Sequence, residues 1–271
     1  MIFDLHVHTY HSDGLLSPEK VVEMAIRKGV NGIAITDHDT VSGIEAAIKH
    51  SKKLGNLVVV PGIELGCIHN HEEVHILGYF IDYKSKEIID ITEDLRRNRV
   101  LRGIKMIERI NDLGMELTLE EVQQLSREDY IGRPHIAEAL VKRNYVTSIE
   151  EAFEKLLNRG KPAYIERKTL SINESIHLIH SLNGVAVLAH PGLLNNQETI
   201  YDCIKKGIDG LEVIHSKHSK KDVDQLLKIA EEYKLIVTGG SDCHGRIVDG
   251  DYLLGKYYVN INHIPIMKGR I

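Results

Sequence analysis

The chain has 271 residues, 42% hydrophobic and 27% charged, enough for one large core or for a core with an inserted lobe. Its 34 basic and 39 acidic side chains give a formal net charge of −5, which excludes an extended nucleic-acid-coating surface and requires any phosphate to be gripped locally. No apolar run approaches the ~20 residues that span a bilayer. The three cysteines, Cys67, Cys203 and Cys243, show no CxxC pairing, so with no signal peptide the expected compartment is a reducing cytoplasm.

Short apolar runs alternate with capped helical segments from the start. Residues 2–5 read as a strand, and Ser17-Pro18 opens a helix that Gly29 closes. Residues 32–36 form the next strand, and Ser42 with Glu45 reads as a capping box for a helix ending at Gly55. Runs 57–61 and 75–80 are further strands. Beyond Tyr83 the period changes: Ile88, Ile91, Leu95, Ile104, Ile107 and Ile110 recur at helical spacing, and capping boxes begin at Thr118 and Ser148. Residues 84–165 are therefore expected to be a helical insertion. Alternation resumes with a helix capped by Ser171 and Glu174, strands at 185–189, 210–214 and 235–238, and a late strand at 256–259.

Repeated strand-helix units with nearly continuous apolar strands predict an α/β fold with a parallel sheet, closed into a barrel if seven or eight units contribute. A doubly wound open sheet is the alternative, and no G-x-G-x-x-G follows the first strand to support a dinucleotide site. Residues 1–83 and 166–271 would form the barrel.

Histidine is the abnormal entry in the composition, at 16 residues against 3 Phe and no Trp. In parallel barrels, functional residues lie just past the C-terminal strand ends. Those ends carry Asp4-Leu5-His6-Val7-His8 with Asp13, then Thr36-Asp37-His38-Asp39, then Gly62-Ile63-Glu64. The following strand opens with His75, and later ends carry Ala189-His190-Pro191-Gly192 and Ser241-Asp242-Cys243-His244. In extended chain, residues i and i+2 face the same side, so His6 and His8 can grip one ion, as can Asp242 and His244. Six histidines and three carboxylates exceed one ion's coordination. Two or three divalent ions bridged by carboxylate fit better, and imidazole suits Zn, Fe or Mn.

Each signal alone has a plainer explanation. An H-x-H pair is usually surface polarity, Glu64 a loop carboxylate, His190 a turn residue, and Asp37 and Asp39 helix caps. Their convergence from independent strand ends is what argues for a site. His71 rivals His75, whereas His69, His177 and His180 read as non-ligands.

These ordered motifs resemble those of the PHP (polymerase and histidinol phosphatase) family. The resemblance implies a distorted (β/α)7 TIM-like barrel with a trinuclear metal site at its mouth. It implies that His6, His8, Glu64 and Asp242 hold one ion, that Glu64, His75 and His190 hold a second, and that Asp13, His38 and His244 hold a third. Some family members have histidine where this chain has Asp13. Within the insertion, Ile131-Gly132-Arg133-Pro134-His135 and Gly160-Lys161-Pro162-Ala163-Tyr164 are similar to the branch of nucleoside 3′,5′-bisphosphate phosphatases and 5′-to-3′ exoribonucleases. There the inserted lobe covers the active site, and the equivalents of Arg133 and His135 hold phosphate. A guanidinium fork suits that role. His218 resembles a further position near the site.

The implied activity is hydrolysis of phosphate monoesters by hydroxide that the cations activate. Substrates would be 3′,5′-bisphosphonucleotides such as adenosine 3′,5′-bisphosphate, or short 5′-phosphorylated RNA. Asp242, His190 and His244 are the catalytic candidates, and Asp37 and Asp39 would orient ligands. No membrane and no obligate protein partner are expected. The alternatives are a histidinol-phosphate phosphatase, or a non-catalytic regulatory module that retains the metal site.

Overall fold

In the computed structural model, residues 1–55, 57–125, 131–264 and 269–270 are described. Ile2, Phe3, Leu5 and Val7 give the first strand its apolar run, β1 (Ile2–Val7). Helix α1 (Pro18–Arg27) follows, with Ser17 accepting from the Lys20 amide and Pro18 in the first turn, as the sequence signals predict. Then come β2 (Gly32–Ile35), α2 (Ile44–Leu54), β3 (Val58–His69) and β4 (Glu72–Tyr79). The expected Ser42 capping box is not formed. Gly43 is the N-cap, and the Ser42 amide donates instead to the Thr40 hydroxyl.

Helix α3 (Lys86–Asp112) leads into α4 (Leu119–Gln123), α5 (Arg133–Lys142) and α6 (Ile149–Ala152). The remainder comprises α7 (Ile172–Ser181), β5 (Val185–Leu188), α8 (Glu198–Lys205), β6 (Gly210–His215), α9 (Lys220–Tyr233) and β7 (Ile236–Gly240). A small hairpin, β8 (Ile247–Val248) with β9 (Asp251–Tyr252), precedes β10 (Val259–Asn260). The chain divides into two compact units, residues 1–92 with 169–271, and residues 93–168. Among its described residues the second unit carries helices and no strand, around a core that includes Met106, Ile110, Leu140 and Leu157. No helix among the described residues is long and apolar enough to cross a membrane.

The first unit is a nearly closed barrel, in the order β10-β1-β2-β3-β4-β5-β6-β7. The His8 amide donates to the Cys243 carbonyl at 3.0 Å and the Asp242 amide to the His6 carbonyl at 2.9 Å, joining the end of β1 to the segment after β7. The parallel order expected from the sequence fails at two strands, of which the short β10 pairs antiparallel with β1. The other, β4, runs antiparallel to both β3 and β5. The reason is local: β3 and β4 form a long hairpin whose turn, Asn70-His71, takes left-handed φ values of 45° and 69° without a glycine to advertise it. This reversal brings the early residues of β4 to the barrel end where the parallel strands finish, so His75 joins the others from the start of its strand. His71 lies exposed in the turn.

A register shift in β1, between Asp4 and Val7, divides its labour. Phe3 and Leu5 pack with Ala34, Val60, Leu77, Tyr79 and Val187 in a cluster drawn from five strands, whereas Val7 packs against α1 and α2. An extra residue resets the alternation of side chains. His6 and His8 thereby face inward beyond the apolar plug.

Strand β7 must come very close to β1 for this closure. A Cβ on Gly240 would run into the backbone nitrogen and Cβ of His6. Gly240→Ala is expected to cost about 3 kcal/mol or more by forced displacement. That lowers Tm by roughly 6–12 °C for a chain of this size. Calorimetry checks it, and a Tm within a degree of wild type would contradict the packing described.

Candidate metal centre

Glu64, on β3, is 1% exposed and surrounded by imidazoles. Its Oε1 lies 2.8 Å from His75 Nδ1 and 3.2 Å from His190 Nε2. Its Oε2 lies 3.3 Å from His6 Nε2, 3.2 Å from His8 Nε2 and 3.0 Å from His38 Nδ1. Asp242 Oδ1 approaches His8 Nε2 at 3.2 Å and His6 Nε2 at 3.5 Å. On the other flank, Asp13 meets His244 Nε2 at 3.1 Å, and His8 and His38 at 3.8 Å each. All nine expected ligand residues therefore meet in one cluster. Its floor, His6, His8 and Glu64, is buried, while His38, His75, His190, Asp13, Asp242 and His244 keep side-chain exposures of 14–24% and open toward solvent.

The surrounding chain holds these side chains in place. Asp37 accepts from the Thr9 amide, the Thr9 hydroxyl and the Ser12 hydroxyl, each at 2.7 Å, fastening the loop that carries His8 and Asp13. Asp39 accepts from the Gly66 amide at 3.1 Å, and its own amide donates to the Glu64 carbonyl. These contacts hold the chain segments that carry the ligands rather than the ligating side chains themselves. Asp39, His190 and Asp242 all adopt left-handed backbone, with φ of 52°, 31° and 54°. Such conformations cost free energy outside glycine and concentrate where side-chain aim matters.

Burial opposes charge on every group here, yet carboxylate and imidazolium sustain one another. Burial alone would lower His8 and His75, but Asp242 and Glu64 beside the first, and Glu64 beside the second, push both up to about 10. Burial would raise Glu64, but His38, His75 and His6 hold it well below the usual carboxylate range. His38 falls to about 3 and His190 is lowered, chiefly by burial, with neighbouring charged rings adding to it.

The cluster fits divalent cations on a direct observation. His8 Nε2, His75 Nδ1 and Asp13 Oδ1 are buried without a hydrogen-bond partner, although carboxylate or ring atoms lie close by. Buried polar atoms normally find partners. A cation between these ligands satisfies them, and imidazole with carboxylate is a donor set suited to it. Ligand-capable atoms of His6, His8 and Glu64, of His38, Glu64 and His75, and of His8, Asp13, His38 and His244 each lie within 4.8 Å of one another.

Sequence reasoning missed Glu212 and His215, both on β6 and both buried. Together with His6 they form a fourth group of ligand-capable atoms. Neither belongs to a recognisable motif. The His218 ring is committed to the backbone: Nδ1 faces the Val213 carbonyl at 2.9 Å, and Nε2 accepts from the Gly192 amide at 3.1 Å. Nε2 fastens the loop after His190 and Nδ1 ties the ring to β6, so in this arrangement His218 has none left for substrate. His69, His177 and His180 engage Asp202, the Asn173 carbonyl and Asp209. In the second unit, Arg133 begins α5 with its guanidinium 5.6 Å from the Phe153 ring centre, and His135 Nδ1 accepts from the Gly132 amide at 3.3 Å.

A barrel whose mouth gathers this many histidines around shared carboxylates defines a metal-dependent hydrolase. The PHP domain model matches residues 4–180. The chain is 32% identical to the 5′-3′ exoribonuclease Rnm of Escherichia coli over 90% of its length and 85% of the relative's. It is 30% identical to the phosphoribosyl 1,2-cyclic phosphate 1,2-diphosphodiesterase of Eggerthella lenta (91% and 95% covered) and 29% identical to the 3′,5′-nucleoside bisphosphate phosphatase of Chromobacterium violaceum (89% and 86%). A solved structure described as a metal-dependent phosphoesterase, from Bifidobacterium adolescentis, superimposes with a TM-score of 0.87 at 32% identity, covering 99% of this chain and 96% of that one. The chain belongs to the PHP domain family and is a metal-dependent phosphoesterase.

Proposed function

We propose that this enzyme removes phosphate from small phosphorylated nucleotides, 3′,5′-bisphosphonucleotides foremost, or trims 5′-phosphorylated short RNA, using two to three Mn, Fe or Zn ions. The observation that carries the reading is the division of labour at Glu64. Oε1 faces His75 and His190, and Oε2 faces His6, His8 and His38. A carboxylate with one oxygen toward each of two separate groups of histidines is suited to bridge ions. Asp242 completes the side of His6 and His8, while Asp13, His38 and His244 supply a third set.

Bound divalent ions would supply Lewis acidity, bringing water toward deprotonation near neutral pH and taking up charge on the phosphate. The chain's own residues do the rest. Asp37 and Asp39 hold the ligand loops, and His190, Asp242 and His244 stand part-exposed at the mouth, where substrate would meet the ions. The substrate grip assigned to Arg133 and His135, and a covering role for residues 84–165, rest on the family resemblance of that segment. The buried, unpaired Cys67, Cys203 and Cys243 accord with a reducing, cytoplasmic setting. The relative from Eggerthella lenta makes a cyclic phosphodiester of a sugar phosphate the second substrate to try.

The test is a screen for released phosphate and, on RNA, for released mononucleotide, before and after chelation, with ion content measured by mass spectrometry. Adenosine 3′,5′-bisphosphate, 5′-phosphorylated oligoribonucleotides, phosphoribosyl 1,2-cyclic phosphate and histidinol phosphate would be compared, with Arg133→Ala as a parallel arm. Activity on the nucleotides should vanish on chelation and return with added Mn²⁺, Zn²⁺ or Fe²⁺, and Arg133→Ala should raise KM about tenfold, as loss of one charge-assisted contact implies. Release that survives complete chelation, or turnover confined to histidinol phosphate, would overturn it.

A further inference from the structure

Strand β6 supplies none of the nine expected ligands, yet two of its buried polar side chains enter the cluster. In undisturbed strand geometry Glu212 and His215, three apart, would face opposite sides of the sheet. The register against β7 shows why they do not. Glu212 pairs with Thr238 and Ile214 with Gly239, so two residues of β6 span one of β7. One extra residue reverses the alternation and turns His215 to the side of Glu212.

Each then engages a different ligand. Glu212 Oε1 accepts from His6 Nδ1 at 2.9 Å, and Oε2 accepts from the His190 backbone amide at 2.8 Å. With one proton held on Nδ1 by Glu212, Nε2, which faces Glu64 and Asp242, is the atom that gives up its proton to take an ion. The second bond pins His190 in its left-handed conformation, at φ 31°. For His215, the Lys217 amide donates to Nδ1 at 3.2 Å, which leaves Nε2 as the ring's donor. That atom is buried, has no hydrogen-bond partner and lies 3.5 Å from Asp242 Oδ2. Asp242 Oδ1 is thereby left to the side of His6 and His8.

We propose that the bulged strand β6 carries two positioning residues for the metal centre: Glu212, which fixes the ring of His6 and the backbone of His190, and His215, which orients the Asp242 carboxylate. The proposal rests on the ion-binding reading above and extends it to residues outside the ligand set. Carboxylates behind ligating histidines fix ring orientation and raise basicity, and removing such partners costs about 10–100-fold in ion affinity.

Glu212→Gln is the main test. Its amide nitrogen can face His6 Nδ1 as a donor, which drives the ring proton onto Nε2, the atom the ion needs. Affinity for Zn²⁺ and Mn²⁺ would be measured by competition with a chelator of known strength, alongside circular dichroism of the stripped proteins. About a 10–100-fold loss is expected for Glu212→Gln and His215→Ala. His215→Gln should recover part of the loss, because its amide offers Asp242 an N–H from the same side. Side-chain ¹⁵N spectra of the Zn²⁺-loaded wild type should show His6 protonated at Nδ1, which examines Glu212 even if its variant fails to fold. Wild-type affinity in both variants, or a His6 ring protonated at Nε2, overturns the positioning roles while leaving ion binding intact. A wild-type protein that takes up neither ion overturns the metal reading itself.

Discussion

Glu64→Gln is expected to abolish retention of bound metal and to lower kcat/KM by about 10³-fold or more, at or beyond the scale of removing a principal electrostatic stabiliser. Five imidazole nitrogens lie within 3.3 Å of the two Glu64 oxygens. An amide is neutral, and one of its ends donates where every facing ring nitrogen needs an acceptor or an ion. Loss of the anion also removes what keeps His75 protonated, so the imidazoles revert toward the lowered values that burial imposes. The fold should tolerate the change better than the chemistry does, because the backbone of β3 pairs with β4 from Gly62 to His69 independently of this side chain. Mass-spectrometric ion content and steady-state kinetics on the best nucleotide substrate check the prediction. A variant retaining its ions and more than a tenth of the activity would show that Glu64 does not bridge.

How far the site was readable from sequence depends on how each residue is delivered. His6, His8, Asp242 and His244 lie in short motifs at strand ends, where the i, i+2 rule places side chains together, and the structure brings them together. His75 was found for an incomplete reason. It belongs to a strand running the other way, and only the reversal through Asn70-His71 brings it to the correct end. The length of β3 was underestimated because residues 62–69 lack a continuous apolar run, although the strand continues to His69. Glu212 and His215 were invisible for a physical reason: a bulge is a relation between two strands, and it leaves no mark in the sequence of either. The same holds for β1, where the shift between Asp4 and Val7 separates core-filling residues from ligands. His218 was the converse case. Its resemblance to a family position near the site makes it a candidate substrate contact, but its ring holds two backbone groups of its own surroundings. Helix α1 was readable because a cap is a local device, and the Ser42 box failed because Gly43 took the capping position.

Ion binding at neutral pH is expected to release protons, with affinity climbing steeply between pH 6 and 8. Four imidazoles, His6, His8, His75 and His244, are raised above their ordinary value. In each, burial works against the charge and the facing carboxylates prevail. Four carboxylates, Asp13, Glu64, Glu212 and Asp242, are lowered against the effect of burial by facing imidazoles, His244 foremost for Asp13, His38 for Glu64, and His6 for Glu212 and Asp242. The cluster thus balances four positive rings with four anions. Two divalent ions carry the same positive charge as those four protons, so they can replace them without leaving the buried carboxylates uncompensated. A third ion would add two charges, which a phosphate dianion would match. The sign follows from competition: below pH 10 the rings of His8 and His75 carry protons that must leave before their nitrogens can ligate, so raising the pH removes the competitor and strengthens binding. Each displaced proton contributes about tenfold in affinity per pH unit, and His8 and His75 together about a hundredfold. Calorimetric titration with Zn²⁺ at pH 7, in two buffers of different ionisation enthalpy, counts the protons released. Two or more per chain are expected, whereas none released, together with affinity indifferent to pH, would mean that the carboxylates bind these rings too weakly to charge them.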